Sequence, residues 1–108
     1  MSKQIHLKVD GKAYDLEFTR ESVKAMERQG FSLDDLSKKP VTAVETLFVG
    51  AFVANHPTMK RDKAIEIFYE IQQKNELISE LAKMYSAPVS ALFDEPEDGG
   101  NVSWTADV

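Results

Sequence analysis

The chain has 108 residues, a length that favours one domain and leaves no room for a second. Hydrophobic residues make up 43% and charged residues 29%, which excludes a wholly disordered chain, and the lack of cysteine excludes disulfides, thiolate zinc sites, iron–sulfur clusters and cysteine nucleophiles. The formal charge of -5 sits at one end: residues 94–108 carry Asp94, Glu95, Glu97, Asp98 and Asp107 and no base, while 13 acids balance 13 bases in residues 1–93. A neutral body lacks the positive field that neutralises phosphates, so neither nucleic acid nor an anionic membrane is expected as a partner.

Met1 to Gln4 lead straight into an alternating segment with no apolar signal-peptide region, so export is not expected. Ile5, Leu7 and Val9 alternate with polar residues, as do Tyr14, Leu16 and Phe18, and Asp10-Gly11 between them is a two-residue hairpin signal. Closing that turn pairs Val9 with Lys12, Leu7 with Tyr14 and Ile5 with Leu16, which puts both apolar sets on one face of a hairpin over 4–18. Thr19 predicts a helix cap, with Phe18 and Val23 as its hydrophobic staple and Gly30 as the stop, so a helix is expected over about 20–29 with Phe31 folded back on its end. Ser32 to Asp35 read as a short capped turn in a connector that breaks at Pro40.

Thr42 and Glu45 have capping-box spacing, and Val44, Leu47, Phe48, Ala51 and Phe52 follow at helical intervals, so a helix is expected over about 42–55 until Asn55-His56-Pro57 ends it. A third long helix is expected over about 60–73, with Ala64, Ile67, Phe68 and Ile71 on one side and a basic start at Lys60, Arg61 and Lys63. Asn75 predicts the cap of a fourth, over about 76–93, in which Leu77, Ile78, Leu81, Met84 and Tyr85 form the buried stripe and Pro88 kinks the helix without ending it. Residues 94–108 are acidic, contain glycine and lack periodicity, which predicts a flexible tail. The expected fold is therefore α+β and predominantly α-helical: an N-terminal β-hairpin, a bundle of about four helices forming one globular domain over 1–93, and the tail.

Groups for catalysis are few. His6 lies on the polar strand face, and His56 precedes a proline, where contact with the last helix carbonyls is expected rather than metal ligation. The carboxylate pairs Asp34-Asp35, Glu66-Glu70 and Glu76-Glu80 fall on solvated surfaces near lysines such as Lys63, Lys74 and Lys83, which do not drive two pKa values apart. Phosphate-loop, dinucleotide, zinc-helix and calcium-loop signatures are missing from the sequence, so neither an enzyme nor a cofactor is expected.

Binding signals are clearer. Lys60 and Arg61 open the basic helix start, which suits an acidic partner or the acidic tail of a neighbouring subunit. Phe48 and Phe52 read as core with some interface character, because Val49 and Val53 make their helix apolar on more than one side, and a homo-oligomer is expected. Trp104, the only tryptophan, alternates with Val102 beyond the acidic stretch and predicts a tethered aromatic strand that joins a sheet edge or anchors in a partner.

Tyr14 to Arg20, Met26 to Phe31, Leu47 to Phe52, the Asn55-His56-Pro57 break, Leu77 to Tyr85 and the Gly100 to Trp104 ending, in that order, resemble the tail assembly chaperones encoded with the tail genes of long-tailed phages. The resemblance covers nearly the whole chain and includes no catalytic signature. It implies a non-enzymatic protein of the host cytoplasm that coats the hydrophobic tape-measure protein, recruits tail-tube subunits and is absent from the finished virion. A longer form made by ribosomal frameshifting is a further property of such families. Two other readings remain: a small adaptor or inhibitor that binds a host protein, and a nucleic-acid-binding regulator, against which the charge argues.

Overall fold

The structure, a computed structural model, describes residues 4–91 and 105–106. Two antiparallel strands, β1 (Ile5–Val9) and β2 (Lys12–Leu16), are followed by five helices among the described residues: α1 (Arg20–Arg28), α2 (Asp35–Lys38), α3 (Pro40–Gly50), α4 (Arg61–Glu70) and α5 (Lys74–Ala91). The fold is α+β and mostly helical, as expected.

The hairpin has the expected register, with Val9 opposite Lys12, Leu7 opposite Tyr14 and Ile5 opposite Leu16. Asp10 and Gly11 both take positive φ, 51° and 81°, the conformation a two-residue turn needs to match the right-handed strand twist. Beyond β2, the Thr19 hydroxyl accepts the Ser22 N–H and the Ser22 hydroxyl accepts the Thr19 N–H, a reciprocal box that starts α1, with Phe18 and Val23 both buried beside it. α1 ends as its glycine predicts. Gly30 has φ 90°, its N–H bonds the Glu27 carbonyl, and the Phe31 N–H bonds the Met26 carbonyl, which drives the Phe31 ring inward.

The remaining helix limits differ from expectation. α3 begins at Pro40, so Thr42 and Glu45 lie inside it and form no cap; proline's fixed φ and missing N–H suit the first helical position. It stops at Gly50, and residues 51–55 form turns rather than helix. α4 ends at Glu70, and Gln73 in a left-handed conformation (φ 58°) redirects the chain into α5, which starts at Lys74 and places Asn75 inside its first turn. α5 passes through Pro88 to Ala91; the expected extension to residue 93 and the tail from 94 lie outside the described residues, apart from exposed Thr105 and Ala106.

One core joins these elements. Leu16, Leu47, Phe48, Phe52, Ile67 and Leu81 are its largest fully buried side chains. Phe48 meets Phe52 and Phe68 with ring centroids 5.2 Å away, and Tyr85 meets Phe18 and Phe31 at 5.3 Å, tying α3 to α4 and α5 to the ends of β2 and α1. Gly50 lets α1 approach α3: a Cβ there would run into the Met26 thioether.

Candidate functional site

The hairpin has two edges, treated differently. On β2 the Asp15 N–H donates to His56 Nε2 (3.0 Å), the Asn55 amide donates to the Asp15 carbonyl (3.2 Å), and the Glu17 N–H donates to the Ala51 carbonyl (2.9 Å). The turn after α3 therefore covers this edge at Asp15 and Glu17, and His56 also packs edge-on against Tyr14 (5.2 Å). His56 was expected to turn back on its own helix; its backbone N–H does bond the Phe52 carbonyl, but its ring serves the strand. No periodicity or cap rule signals this contact, which joins residues 41 positions apart.

The edge of β1 is open. Because Val9 and Lys12 close a two-residue turn, Val9, Leu7 and Ile5 carry the ladder bonds, and the N–H and C=O groups of His6 and Lys8 point away from β2. The outward direction of Asp15 on the opposite strand agrees with this phase. Among the described residues no backbone group pairs with that outer edge. The side chains of Gln4, His6 and Lys8 on the polar face are exposed, and His6 Nδ1 lies 2.6 Å from Asp15 Oδ1 across the strands.

Under the same edge lies an open groove of about 320 Å³. Ile5 and Leu7 form one wall and Ile71 and Leu77 the other, all only half-buried although apolar, with Glu76 and Glu80 at the rim. Near the hairpin tip, beside β2, a second cleft gathers Lys12, Lys60 and Lys63 around Ala13, Tyr14, Thr58 and Met59, next to His56. Lys60 and Arg61, singled out from sequence, are thus exposed at the start of α4; the Lys60 side lines this cleft, whereas Arg61 reaches Thr46 of α3 (3.4 Å).

Phe48 and Phe52 are core only, at 0% and 1% exposed, and offer no surface to a partner. The interface character of their helices rests instead on Val41 (70% exposed), Tyr69 (55%) and Val53 (45%). Val41 and Glu45 lie one turn apart on α3, and the Tyr69 hydroxyl of α4 donates to Glu45 Oε2 at 2.6 Å, so these three share one surface. The hydrogen bond to Glu45 is the main cause that lifts the Tyr69 phenol above its ordinary value. Val102 and Trp104 lie outside the described residues.

No group of three or more His, Asp or Glu side chains able to hold a metal occurs among the described residues, and no described helix is long and apolar enough to cross a membrane. The paired carboxylates are dispersed: Asp35 accepts the Ser32 N–H at the start of α2, and Glu80 pairs with Lys83. The geometry is therefore one of surfaces: an unpaired strand edge, an apolar groove beneath it and a basic cleft beside β2 near the hairpin tip.

Residues 1–108 match the profile of a domain of unknown function, DUF5055, and the chain belongs to that family. Neither a curated protein nor a solved structure matches it.

Proposed function

We propose that this DUF5055 protein is a non-enzymatic phage tail assembly chaperone that covers the tape-measure protein and recruits tail-tube subunits, acting as an oligomer in the host cytoplasm and leaving before the virion is complete. The observation that carries this reading is where the resembling segments fall in the fold. Tyr14 to Arg20 runs from β2 to the Thr19 cap and first residue of α1, Met26 to Phe31 is the glycine stop of α1, Leu47 to Phe52 is the buried end of α3 and the start of the turn after it, Asn55 and His56 clasp the β2 edge, and Leu77 to Tyr85 contains the buried positions of α5. The resembling segments thus fall at caps, turns and core positions of this fold, and the reading rests on the resemblance itself.

The surface of Val41, Glu45 and Tyr69 is the part offered to a helical client: an apolar side chain and an aromatic ring flank a carboxylate, a pattern that fits an amphipathic helix carrying a basic residue. Such a patch is small, so many subunits along a long client supply the affinity together. The test is co-expression with a tape-measure protein from the genome that encodes this chain, followed by purification through a tag on this chain. The client is expected to co-purify, and Val41→Asp with Tyr69→Asp is expected to release it while leaving the melting temperature within a few degrees, since both side chains are exposed. Failure of the native pair to associate overturns the proposal. Binding of a host protein in its place returns the adaptor reading.

A further inference from the structure

We infer that His56 is a proton-operated latch on the β2 edge: a neutral imidazole with its hydrogen on Nδ1 holds the Asp15 N–H, and a proton on Nε2 releases it. The device is independent of the client proposed above.

The latch follows from which atoms can donate. The Asp15 N–H is a donor at every pH, so His56 Nε2, 3.0 Å away, must present its lone pair. Only the neutral ring with its hydrogen on Nδ1 does so. An imidazolium carries a hydrogen on both nitrogens, and two donors would then face each other across the same 3.0 Å. Holding the strand and binding the proton therefore compete for one lone pair. The main chain keeps the ring at its post: the His56 N–H donates to the Phe52 carbonyl at 2.7 Å, the His56 carbonyl accepts the Met59 N–H at 3.0 Å, and the ring packs on Tyr14 and Phe52.

The groups around the ring offer a bound proton little compensation. Lys12 of β2, Lys60 ahead of α4 and Lys63 in its first turn line the cleft that His56 also lines, with no carboxylate among the described residues lining it, so an imidazolium would be a fourth cation there. The acids on β2 and just beyond it are engaged on other partners. Asp15 Oδ1 lies 2.6 Å from His6 Nδ1 on β1, and Glu17 Oε1 accepts the side-chain amides of Gln4 (3.0 Å) and Asn55 (3.1 Å). Tyr14, the remaining titratable neighbour, is buried and meets the ring through its own aromatic ring.

The rest of the closure does not titrate. The Glu17 N–H donates to the Ala51 carbonyl at 2.9 Å and the Asn55 amide to the Asp15 carbonyl at 3.2 Å, and neither pair contains an ionisable group. Acid therefore opens this edge at one N–H while the turn stays anchored at Glu17. An outward strand N–H without a partner is the kind of group that recruits another strand, so the latch sets the pH at which the second edge of the hairpin becomes available.

The test is magnetic resonance on the full chain, with the nitrogen shifts of the His56 ring and the amide protection of Asp15 and Glu17 followed from about pH 8 to about pH 5, where imidazoles change charge. His6→Gln identifies the ring signals of the other of the two histidines by their loss. At the alkaline end the His56 ring should carry its hydrogen on Nδ1. As it takes up a proton, Asp15 protection should fall about tenfold in step with the ring signals, while Glu17 protection holds within about twofold. In His56→Gln, whose amide oxygen accepts the same N–H without titrating, Asp15 protection should not follow pH. A hydrogen on Nε2 at the alkaline end overturns the inference, as does Asp15 protection that ignores the titration of the ring. Equal loss at Asp15 and Glu17 assigns the change to general acid unfolding and overturns it too. The readouts on the unaltered chain decide the matter even if His56→Gln does not fold.

Discussion

Tyr85 is the residue whose chemistry fits its surroundings least. Its ring is buried against Phe18 and Phe31, yet its hydroxyl oxygen is buried with no hydrogen-bond partner among the described residues. An unmet hydroxyl in an apolar site costs free energy that a phenylalanine does not, so Tyr85→Phe is expected to stabilise the protein by about 1 kcal/mol in urea unfolding. Burial first, and Glu27 second, raise the Tyr85 phenol above its ordinary value of 10.0. The unfolded chain therefore gives up this proton before the folded chain does, and stability falls as pH rises from about 10 towards the higher folded value. Tyr85→Phe should flatten that alkaline decline in a series of melts; an unchanged slope would show that the phenol is not its source. His56 is the counterpart, a polar ring whose Nε2 accepts the Asp15 N–H and whose face and edge pack on Tyr14 and Phe52. His56→Ala strips the acceptor from the Asp15 N–H and the ring from Tyr14, with an expected loss of about 1 to 2 kcal/mol and faster amide exchange at Asp15. Neither role could be read from the sequence, because the Tyr85 hydroxyl depends on how α5 meets the ends of β2 and α1, and the His56 bond joins segments distant along the chain.

Elements whose ends are set locally were legible, and those whose ends are set by distant contacts were not. The hairpin register follows from a two-residue turn and strict alternation, and α1 from a hydroxyl cap and a glycine stop, all within a few residues of one another. Removing these local devices has calculable consequences: Thr19→Ala is expected to cost about 1 kcal/mol, and Gly30→Ala, which forces a Cβ into φ 90°, a similar amount in chemical denaturation. Equal stability in both variants would mean that tertiary packing alone holds α1. The end of α3 illustrates the other case. Helical periodicity persists through Phe52, and the sequence reads as helix to residue 55, but Ala51, Asn55 and His56 are taken out to close the β2 edge. That closure is also why the two edges differ. Of the candidate site, the alternation of Ile5, Leu7 and Val9 foreshadowed the strand and Lys60 the basic cleft, but nothing local showed which edge would stay open.

For the protein as a whole, the account is of a small folded body that keeps surface in reserve for other chains. Val41 and Tyr69 on the helices, the groove under β1 and the basic cleft near the tip have no lining residue in common in the described structure. The most direct measurement of the central claim is the solubility of a phage tape-measure protein when it is produced with and without this chain. The account predicts that the long protein is insoluble alone and becomes soluble in a complex holding several copies of this chain, and that Val41→Asp with Tyr69→Asp abolishes the effect. A tape-measure protein equally insoluble in the presence of an abundant, folded chain would contradict it.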